Sequence, residues 1–226
     1  MGDLRGKTAL VTGAQRGIGA AIARRLAADG AQVWVNAVEE LDQARDLAAA
    51  LGGQAVEADV ADREQVERML ERVGSLDILV NNAADQSNQA LLDAGRGTWD
   101  RTLAVNVTGP MLTMQASAPR MGAGGSIVNV ASMHSFVPLT GAAAYATSKG
   151  ALVTLTRQAA VEFGDRGIRV NAVAPGAIDT SGDQHVPVLL GTIRGVAGPG
   201  HRHPPHRGLL VSELDRQCSG AVREAS

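Results

Sequence analysis

The chain has 226 residues, about the length of one domain, with a formal net charge of −2 at pH 7 and a pI near 6.2. This charge argues against a nucleic-acid-binding protein with a basic face, and no apolar run reaches the roughly 18 residues that span a bilayer. The single cysteine, Cys218, excludes an intrachain disulfide, so we expect a cytoplasmic protein without nucleic-acid or membrane partners.

Six short apolar runs alternate with helical patterns over residues 1–180. Ile18, Ile22 and Leu26 share one helical face, and Asp62 with Gln65 resembles a capping box before another apolar helical stripe. Nearly continuous apolar runs are typical of parallel strands covered by helices on both faces. The pattern predicts a doubly wound, Rossmann-type α/β fold, with strands at 8–12, 32–35, 54–58, 76–81, 126–131 and 168–173.

A glycine-rich segment, residues 12–19, follows the first strand and opens the first helix with the sequence Thr-Gly-Ala-Gln-Arg-Gly-Ile-Gly. In such a position Gly13 makes a tight turn, Gly17 lets the backbone approach a pyrophosphate, and Gly19 allows close packing of helix and sheet. The helix N-terminus offers unpaired N–H groups to phosphate. We therefore predict a dinucleotide site here; the alternative is a glycine-rich turn that binds nothing.

The second strand, which runs into Asn36-Ala37-Val38, has no carboxylate at its end to accept a hydrogen bond from a ribose 2′-hydroxyl. Arg16, inside the glycine-rich segment, is able to pair with a 2′-phosphate. This combination favours NADP(H) over NAD(H). The alternative is that Arg16 is a solvated loop arginine that binds no ligand.

Tyr145 and Lys149 form the second motif. Tyr145 is the only tyrosine and Lys149 one of two lysines, beside 19 arginines. A spacing of four places them on one face of a helix. A tyrosine pKa near 10 is too high for efficient proton transfer at neutral pH, and an adjacent lysine cation lowers it. The alternative is an ordinary surface pair.

Two further polar residues fit a cleft at the carboxyl ends of the strands, where open parallel sheets bind ligands. Ser132 ends the fifth strand, from which its hydroxyl can hold a substrate oxygen; otherwise it is a turn residue. Asn106 lies inside a predicted helix, where asparagine is unfavourable, so its side chain is expected to have a special hydrogen-bonding role. The alternative is that the helix tolerates it without such a role.

Taken in order, these motifs over residues 4–180 resemble the short-chain dehydrogenase/reductase family. The resemblance implies a nicotinamide cofactor and hydride transfer between it and the carbonyl or alcohol carbon of a small molecule. It is carried by residues 12–19, Asp59-Val60, Asn81-Asn82-Ala83-Ala84, Asn106, Ser132, Tyr145, Lys149, Pro175-Gly176 and Thr180.

By the same resemblance, Tyr145 would be the general acid or base. Lys149 would hold the nicotinamide ribose and lower the pKa of Tyr145, Ser132 would polarise the carbonyl, and Asn106 would anchor a proton-relay water. Asp59 would accept from the adenine amino group. The other cofactor contacts implied are Gly13, Arg16, Gly17, Ile18, Gly19, Val60, Asn82, Ala83, Ala84, Tyr145, Lys149, Pro175, Gly176, Ile178 and Thr180, with no metal site.

The composition changes after Thr180. Residues 181–226 contain four of the five histidines and four of the eight prolines, without strand–helix alternation. We therefore expect a nucleotide-binding domain at 1–180 carrying the catalytic residues, and an atypical segment at 181–226 that need not be ordered. The substrate lid and seventh strand are expected to be missing or altered, which leaves the sixth strand as an exposed edge and places the usual homo-oligomer interface in doubt.

Two functions follow from these expectations. The first is an NADP(H)-preferring oxidoreductase acting on a 3-oxoacyl or a sugar or polyol substrate. The second is an NAD(P)-binding protein with impaired or no catalysis, because the C-terminal lid and last strand are lost.

Overall fold

A computed structural model describes residues 3–137 and 140–176, together with the backbone of 190–193. Its centre is a seven-stranded sheet with the spatial order β3-β2-β1-β4-β5-β6-β7. The first six strands are parallel, which confirms the predicted doubly wound sheet. The strands are β1 (Thr8–Val11), β2 (Gln32–Ala37), β3 (Gln54–Glu57), β4 (Ile78–Asn81), β5 (Ser126–Val130), β6 (Arg169–Pro175) and β7 (Leu190–Ile193).

Helices connect the parallel strands and cover the sheet. A π-helical turn at Ala104–Thr108 joins the fourth helix to the fifth, and short 3₁₀ turns lie at Ala118–Arg120 and Met133–Ser135. The helices are α1 (Gly17–Ala28), α2 (Leu41–Ala50), α3 (Arg63–Val73), α4 (Arg96–Leu103), α5 (Gly109–Ser117) and α6 (Ala143–Gly164).

The two faces of the sheet have separate hydrophobic cores. Along β1, Leu10 belongs to the core shared with α3, α5 and α6, whereas Ala9 and Val11 belong to the core shared with α1 and α2. Successive side chains of a strand point to opposite faces, so both faces need apolar residues. This explains why the strands appear in the sequence as continuous apolar runs.

The predicted capping box starts α3. The N–H of Gln65 donates to Asp62 Oδ1 at 3.1 Å, and Gln65 Nε2 donates to Asp62 Oδ2 at 3.0 Å. The first bond satisfies a backbone N–H that the first helical turn leaves unpaired, and the second joins the two side chains. The apolar stripe that follows is buried as predicted, with Val66, Met69, Leu70 and Val73 facing the core.

The edge beyond β6 differs from expectation. The backbone of β7 runs antiparallel along β6, with Ala172 opposite Ile193 and Pro175 opposite Leu190. The prediction of a missing or altered seventh strand is confirmed in its second form, a four-residue antiparallel strand, so β6 is not left as the edge of the sheet. Residues 187–193 contain an apolar run that the polar composition of the C-terminal segment obscured.

The order of the strands fixes where a ligand cleft can form. β1 has β2 on one side and β4 on the other, so the connections from β1 and from β4 leave the sheet in opposite directions. Such a switch point opens a crevice outside the carboxyl ends of the two strands. Among the described residues, no helix has the length and apolar character needed to cross a membrane.

Candidate active site

Thr12 joins the two loops that border the crevice. Its Oγ1 accepts the N–H groups of Asn82 and Ala83, both at 3.0 Å. In return, Asn82 Nδ2 donates to the carbonyl oxygens of Thr12 at 2.9 Å and Gly13 at 2.8 Å. These bonds hold the glycine-rich loop after β1 against the loop after β4, which places both predicted cofactor segments on one wall.

The glycines of this loop are required by close approach. A Cβ on Gly13 would lie 2.7 Å from Ala83 Cα, and one on Gly19 would lie 2.5 Å from Asn82 Nδ2. Gly13 and Gly17 also adopt φ of +58°, which favours glycine. Ile18 follows in the first turn of α1, which has no acidic residue and no side-chain cap. The N–H groups of this first turn therefore suit an anionic ligand, and the glycine-rich loop fits a dinucleotide phosphate.

We expect Gly19→Ala to destabilise the protein by about 1–3 kcal/mol, because the added methyl overpacks a contact with backbone and side chain. Its Cβ would also lie 2.7 Å from Gly13 O and 2.8 Å from Ala14 Cα, so the loop must shift. Urea unfolding measures the loss, and NADPH affinity should fall with it.

Gly97→Ala is the matched control, since Gly97 is also helical but has nothing within 4 Å of an added Cβ. Alanine should leave stability unchanged or raise it by up to about 1 kcal/mol. Equal stabilities of the two variants would show that the loop relaxes and that the close packing at Gly19 is unimportant.

Arg16 lies at the N-cap of α1 and forms an ion pair with Glu40, with Nε 3.1 Å from Oε2. Sequence reasoning missed Glu40, because it searched for a carboxylate at the end of β2 and this residue comes three positions later. The arginine predicted to face a 2′-phosphate therefore already has an acidic neighbour.

On the predicted adenine side, Asp59 is held by neighbours. Its Oδ1 accepts the Ala61 N–H at 2.9 Å, and its Oδ2 pairs with Arg101 Nη1 at 2.8 Å. Val60 is buried beside Gly109, where a Cβ would lie 2.8 Å from Val60 Cγ2. Arg101, in α4, was not predicted, because nothing in the sequence shows that α4 packs near the end of β3. Ala84 is exposed.

The catalytic candidates lie around the ends of β5 and the start of α6. Ser132 follows β5, and its Oγ accepts the His134 N–H at 3.2 Å. Tyr145 is in the first turn of α6, with the His134 ring edge-on at 5.7 Å between centroids. Lys149, one turn later and 2% exposed, donates from Nζ to Val130 O at 2.7 Å and lies 5.6 Å from the centre of the Tyr145 ring.

Burial shifts the pKa values of Tyr145 and Lys149 in opposite directions. Burial raises the pKa of Tyr145, and the Ser132 side chain lowers it by a smaller amount. Burial lowers the pKa of Lys149 to about 8. With a pKa of about 8, Lys149 keeps its proton at neutral pH. The lowering of the Tyr145 pKa by Lys149 stays a prediction.

Asn106 is fully buried in the π-helical turn. Its Oδ1 accepts the Asp85 N–H at 2.8 Å, and its Nδ2 donates to Asp85 O and to Ser148 Oγ, both at 2.9 Å. Ser148 Oγ in turn donates to Tyr145 O at 2.7 Å. Ser148, which sequence reasoning missed although it precedes Lys149, thus links the turn to the helix that carries the tyrosine.

The last predicted segment is described in part. Pro175 ends β6 and is buried. Gly176 follows it, and a Cβ added to Gly176 would lie 3.8 Å from Met133 Sδ. Ile178 and Thr180 lie outside the described residues, as does the segment from 194 onward. Within the described ranges, no three His, Cys, Asp or Glu residues are grouped so as to hold a metal ion.

The fold and site define a dinucleotide-binding α/β protein with serine, tyrosine and lysine at the carboxyl edge of its sheet. A profile described as short chain dehydrogenase matches residues 7–187. The chain belongs to the short-chain dehydrogenase/reductase family and is an NAD(P)-dependent oxidoreductase of that family.

Proteins with several different names are similar in sequence to this chain. A cyclic-di-GMP-binding biofilm dispersal mediator protein of Escherichia coli is 41% identical over 80% of this chain and 76% of its own length. Glucose 1-dehydrogenase 2 of Bacillus subtilis is 38% identical over 79% and 74%. A short chain dehydrogenase of Burkholderia cenocepacia, solved in complex with NADP, is 44% identical with a TM-score of 0.76 over 79% of this chain and 77% of that one.

Proposed function

We propose that this protein transfers a hydride between NADP(H) and the carbon of a carbonyl or secondary alcohol, with Tyr145 as the proton donor or acceptor. The observation that carries the proposal is the grouping of Tyr145 with Ser132 and Lys149 beside the switch point of the sheet. The family and its NADP-bound member support both the reaction class and the cofactor.

Each residue has a distinct task in this proposal. The cofactor, when bound, supplies or accepts the hydride at its nicotinamide ring. In reduction Tyr145 gives its hydroxyl proton to the substrate oxygen, which Ser132 Oγ holds by a hydrogen bond. Lys149 binds the nicotinamide ribose, and Asn106 anchors a water that returns a proton to the lysine. In oxidation the same proton moves back from substrate to Tyr145.

The cofactor residues proposed are those of the sequence analysis, with support from the geometry of the loop. The close contacts of Gly13 and Gly19 and the uncapped start of α1 support phosphate binding there. Arg16 supports the preference for NADP(H), because its side chain is 72% exposed and able to pair with a 2′-phosphate.

The substrate we propose carries polar groups beside the reacting carbon, as in a sugar or polyol. Two side-chain atoms in this region are buried and have no hydrogen-bond partner among the described residues: His134 Nδ1, whose ring contacts Tyr145, and Gln89 Oε1. Gln89 is near the start of α6, since its carbonyl accepts the Ala143 N–H at 3.3 Å. Buried polar atoms normally find a hydrogen-bond partner, and substrate hydroxyls would supply one. A 3-oxoacyl substrate remains the second choice.

The test is a substrate panel with the purified full chain. Cofactor binding is followed by nicotinamide fluorescence, and turnover by the change in NADPH absorbance with an unsubstituted ketone, a hydroxylated ketone and a 3-oxoacyl thioester. We expect NADPH to bind more tightly than NADH and the hydroxylated ketone to have the highest kcat/KM. A preference for the thioester would contradict the polyol proposal, and absence of cofactor binding would contradict the whole function.

The second candidate, an NAD(P)-binding protein with little or no turnover, is favoured by one observation. The match to the family profile stops at residue 187, so 188–226 lies outside the matched range. Tight NADPH binding without turnover of any substrate in the panel would support this candidate.

A further inference from the structure

We propose that Glu40 limits the preference for NADP(H), because its carboxylate competes with a 2′-phosphate for Arg16 and offers an acceptor to a 2′-hydroxyl. This inference rests on the proposed cofactor site. It assigns a role in cofactor selection to a residue beyond the end of β2.

The glycine-rich loop lies directly against the end of β2. The Gly13 N–H donates to Asn36 Oδ1 at 3.3 Å, and the Ala14 N–H donates to Asn36 O at 2.9 Å. The chain segment that follows β2 therefore passes beside the loop. This is how Glu40 reaches Arg16 although 24 positions separate them in sequence.

The Arg16–Glu40 pair is open to solvent. The arginine side chain is 72% exposed and the glutamate side chain 39% exposed. Exposed ion pairs contribute little to stability, so an incoming anion can replace the carboxylate. A 2′-phosphate can pair with Arg16 only by displacing the Glu40 carboxylate. The phosphate then remains close to the negative charge of Glu40. A 2′-hydroxyl meets no such repulsion and finds an acceptor in the carboxylate.

The backbone at Glu40 gives independent support. Its φ of +52° and ψ of +43° place it in the left-handed region, and it is the only non-glycine residue with positive φ among those the structure describes. Glycine or asparagine is better suited to this conformation. Glu40 also occupies the N-cap of α2 without capping it through its side chain. Local folding therefore does not explain a glutamate here, whereas its contact with Arg16 does.

The experiment compares Glu40→Gln with Glu39→Gln, which removes the same charge at an exposed neighbour. Dissociation constants are measured for NADPH, NADH, 2′,5′-ADP and 5′-AMP by fluorescence and calorimetry, independently of turnover. We expect Glu40→Gln to tighten NADPH and 2′,5′-ADP by about tenfold and to leave or weaken NADH and 5′-AMP. The gain should shrink in 1 M salt, where the Debye length falls to about 3 Å.

The double variant Arg16→Gln with Glu40→Gln shows whether Glu40 affects NADPH affinity through Arg16. If it does, most of the gain for NADPH disappears in the double variant. Equal shifts in Glu40→Gln and Glu39→Gln, or no change in the NADPH-to-NADH ratio, would overturn the role of Glu40 while leaving the cofactor site intact. Failure of the unaltered chain to bind any of the four ligands would overturn the proposed function as well.

Discussion

Tyr145→Phe is expected to lower kcat for carbonyl reduction by about 10²–10⁴-fold, the usual contribution of a general acid. Phenylalanine keeps the ring, so the edge-on contact with His134 and the position under Lys149 Nζ are retained. Only the hydroxyl beside Ser132 is lost. Because burial raises the pKa of Tyr145, the side chain is protonated at neutral pH and is ready to donate in reduction.

The measurement pairs turnover with cofactor binding. The dissociation constant for NADPH should change by less than about threefold, since the loop that binds phosphate is separate from the hydroxyl. Ser132→Ala provides a second variant and should lower kcat without abolishing binding, because its hydroxyl holds the substrate oxygen. If Tyr145→Phe keeps more than a tenth of the wild-type kcat, another group donates the proton and the proposed role is wrong.

Much of the fold was predictable because burial on both faces leaves a strong pattern in sequence. The predicted strand at 32–35 extends to Ala37, and that at 76–81 begins at Ile78, which are differences of two residues at the ends. The seventh strand was missed for a different reason. Leu190–Ile193 is four residues long and contains glycine, and its antiparallel pairing depends on β6 rather than on its own pattern.

The site shows the same division between local and long-range information. Tyr145 and Lys149 were selected by residue type and by a spacing that a helix makes meaningful. Glu40 and Arg101 could not be selected in this way, because each contacts a residue distant in sequence: Arg16 and Asp59. Only the packing of the loops around the sheet brings these charges together. The depth of burial of Lys149, and hence the direction of its pKa, also depends on that packing.

Lys149→Met is expected to raise stability at pH 7 while abolishing turnover. Lys149 is 2% exposed, and burial lowers its pKa from 10.5 to about 8. Keeping a proton on it at pH 7 therefore costs about 3 kcal/mol of folding free energy. Methionine fills similar space without a charge. It leaves Val130 O without its donor, which costs about 1–3 kcal/mol, so the net gain at pH 7 is expected to be about 0–2 kcal/mol.

The dependence of the free energy of unfolding on pH tests this prediction most directly. Between pH 8 and 10.5 the unfolded chain holds more protons at this lysine than the folded chain does. The free energy of unfolding of the wild type therefore rises with pH across this window. From pH 7 to 9.5 the rise from Lys149 alone is about 2 kcal/mol, and Lys149→Met lacks it. The stability advantage of the methionine variant should thus shrink by that amount and be lost or reversed by pH 9.5.

Urea unfolding at several pH values between 7 and 9.5 tests this, with Lys149→Arg as the control. Arginine keeps a charge that does not titrate in this range, so this variant should be destabilised at every pH and should also lack the rise. Parallel curves for the wild type and Lys149→Met would mean that burial does not lower the pKa of Lys149 and that the expected cost of its charge is wrong. A steeper rise of the wild type, about 1.4 kcal/mol per pH unit from pH 7 upward, would mean that the buried lysine carries no proton at pH 7. In that case a charged Lys149 could not be the group that binds the ribose, and the lysine would have no proton to pass on in the relay through Asn106.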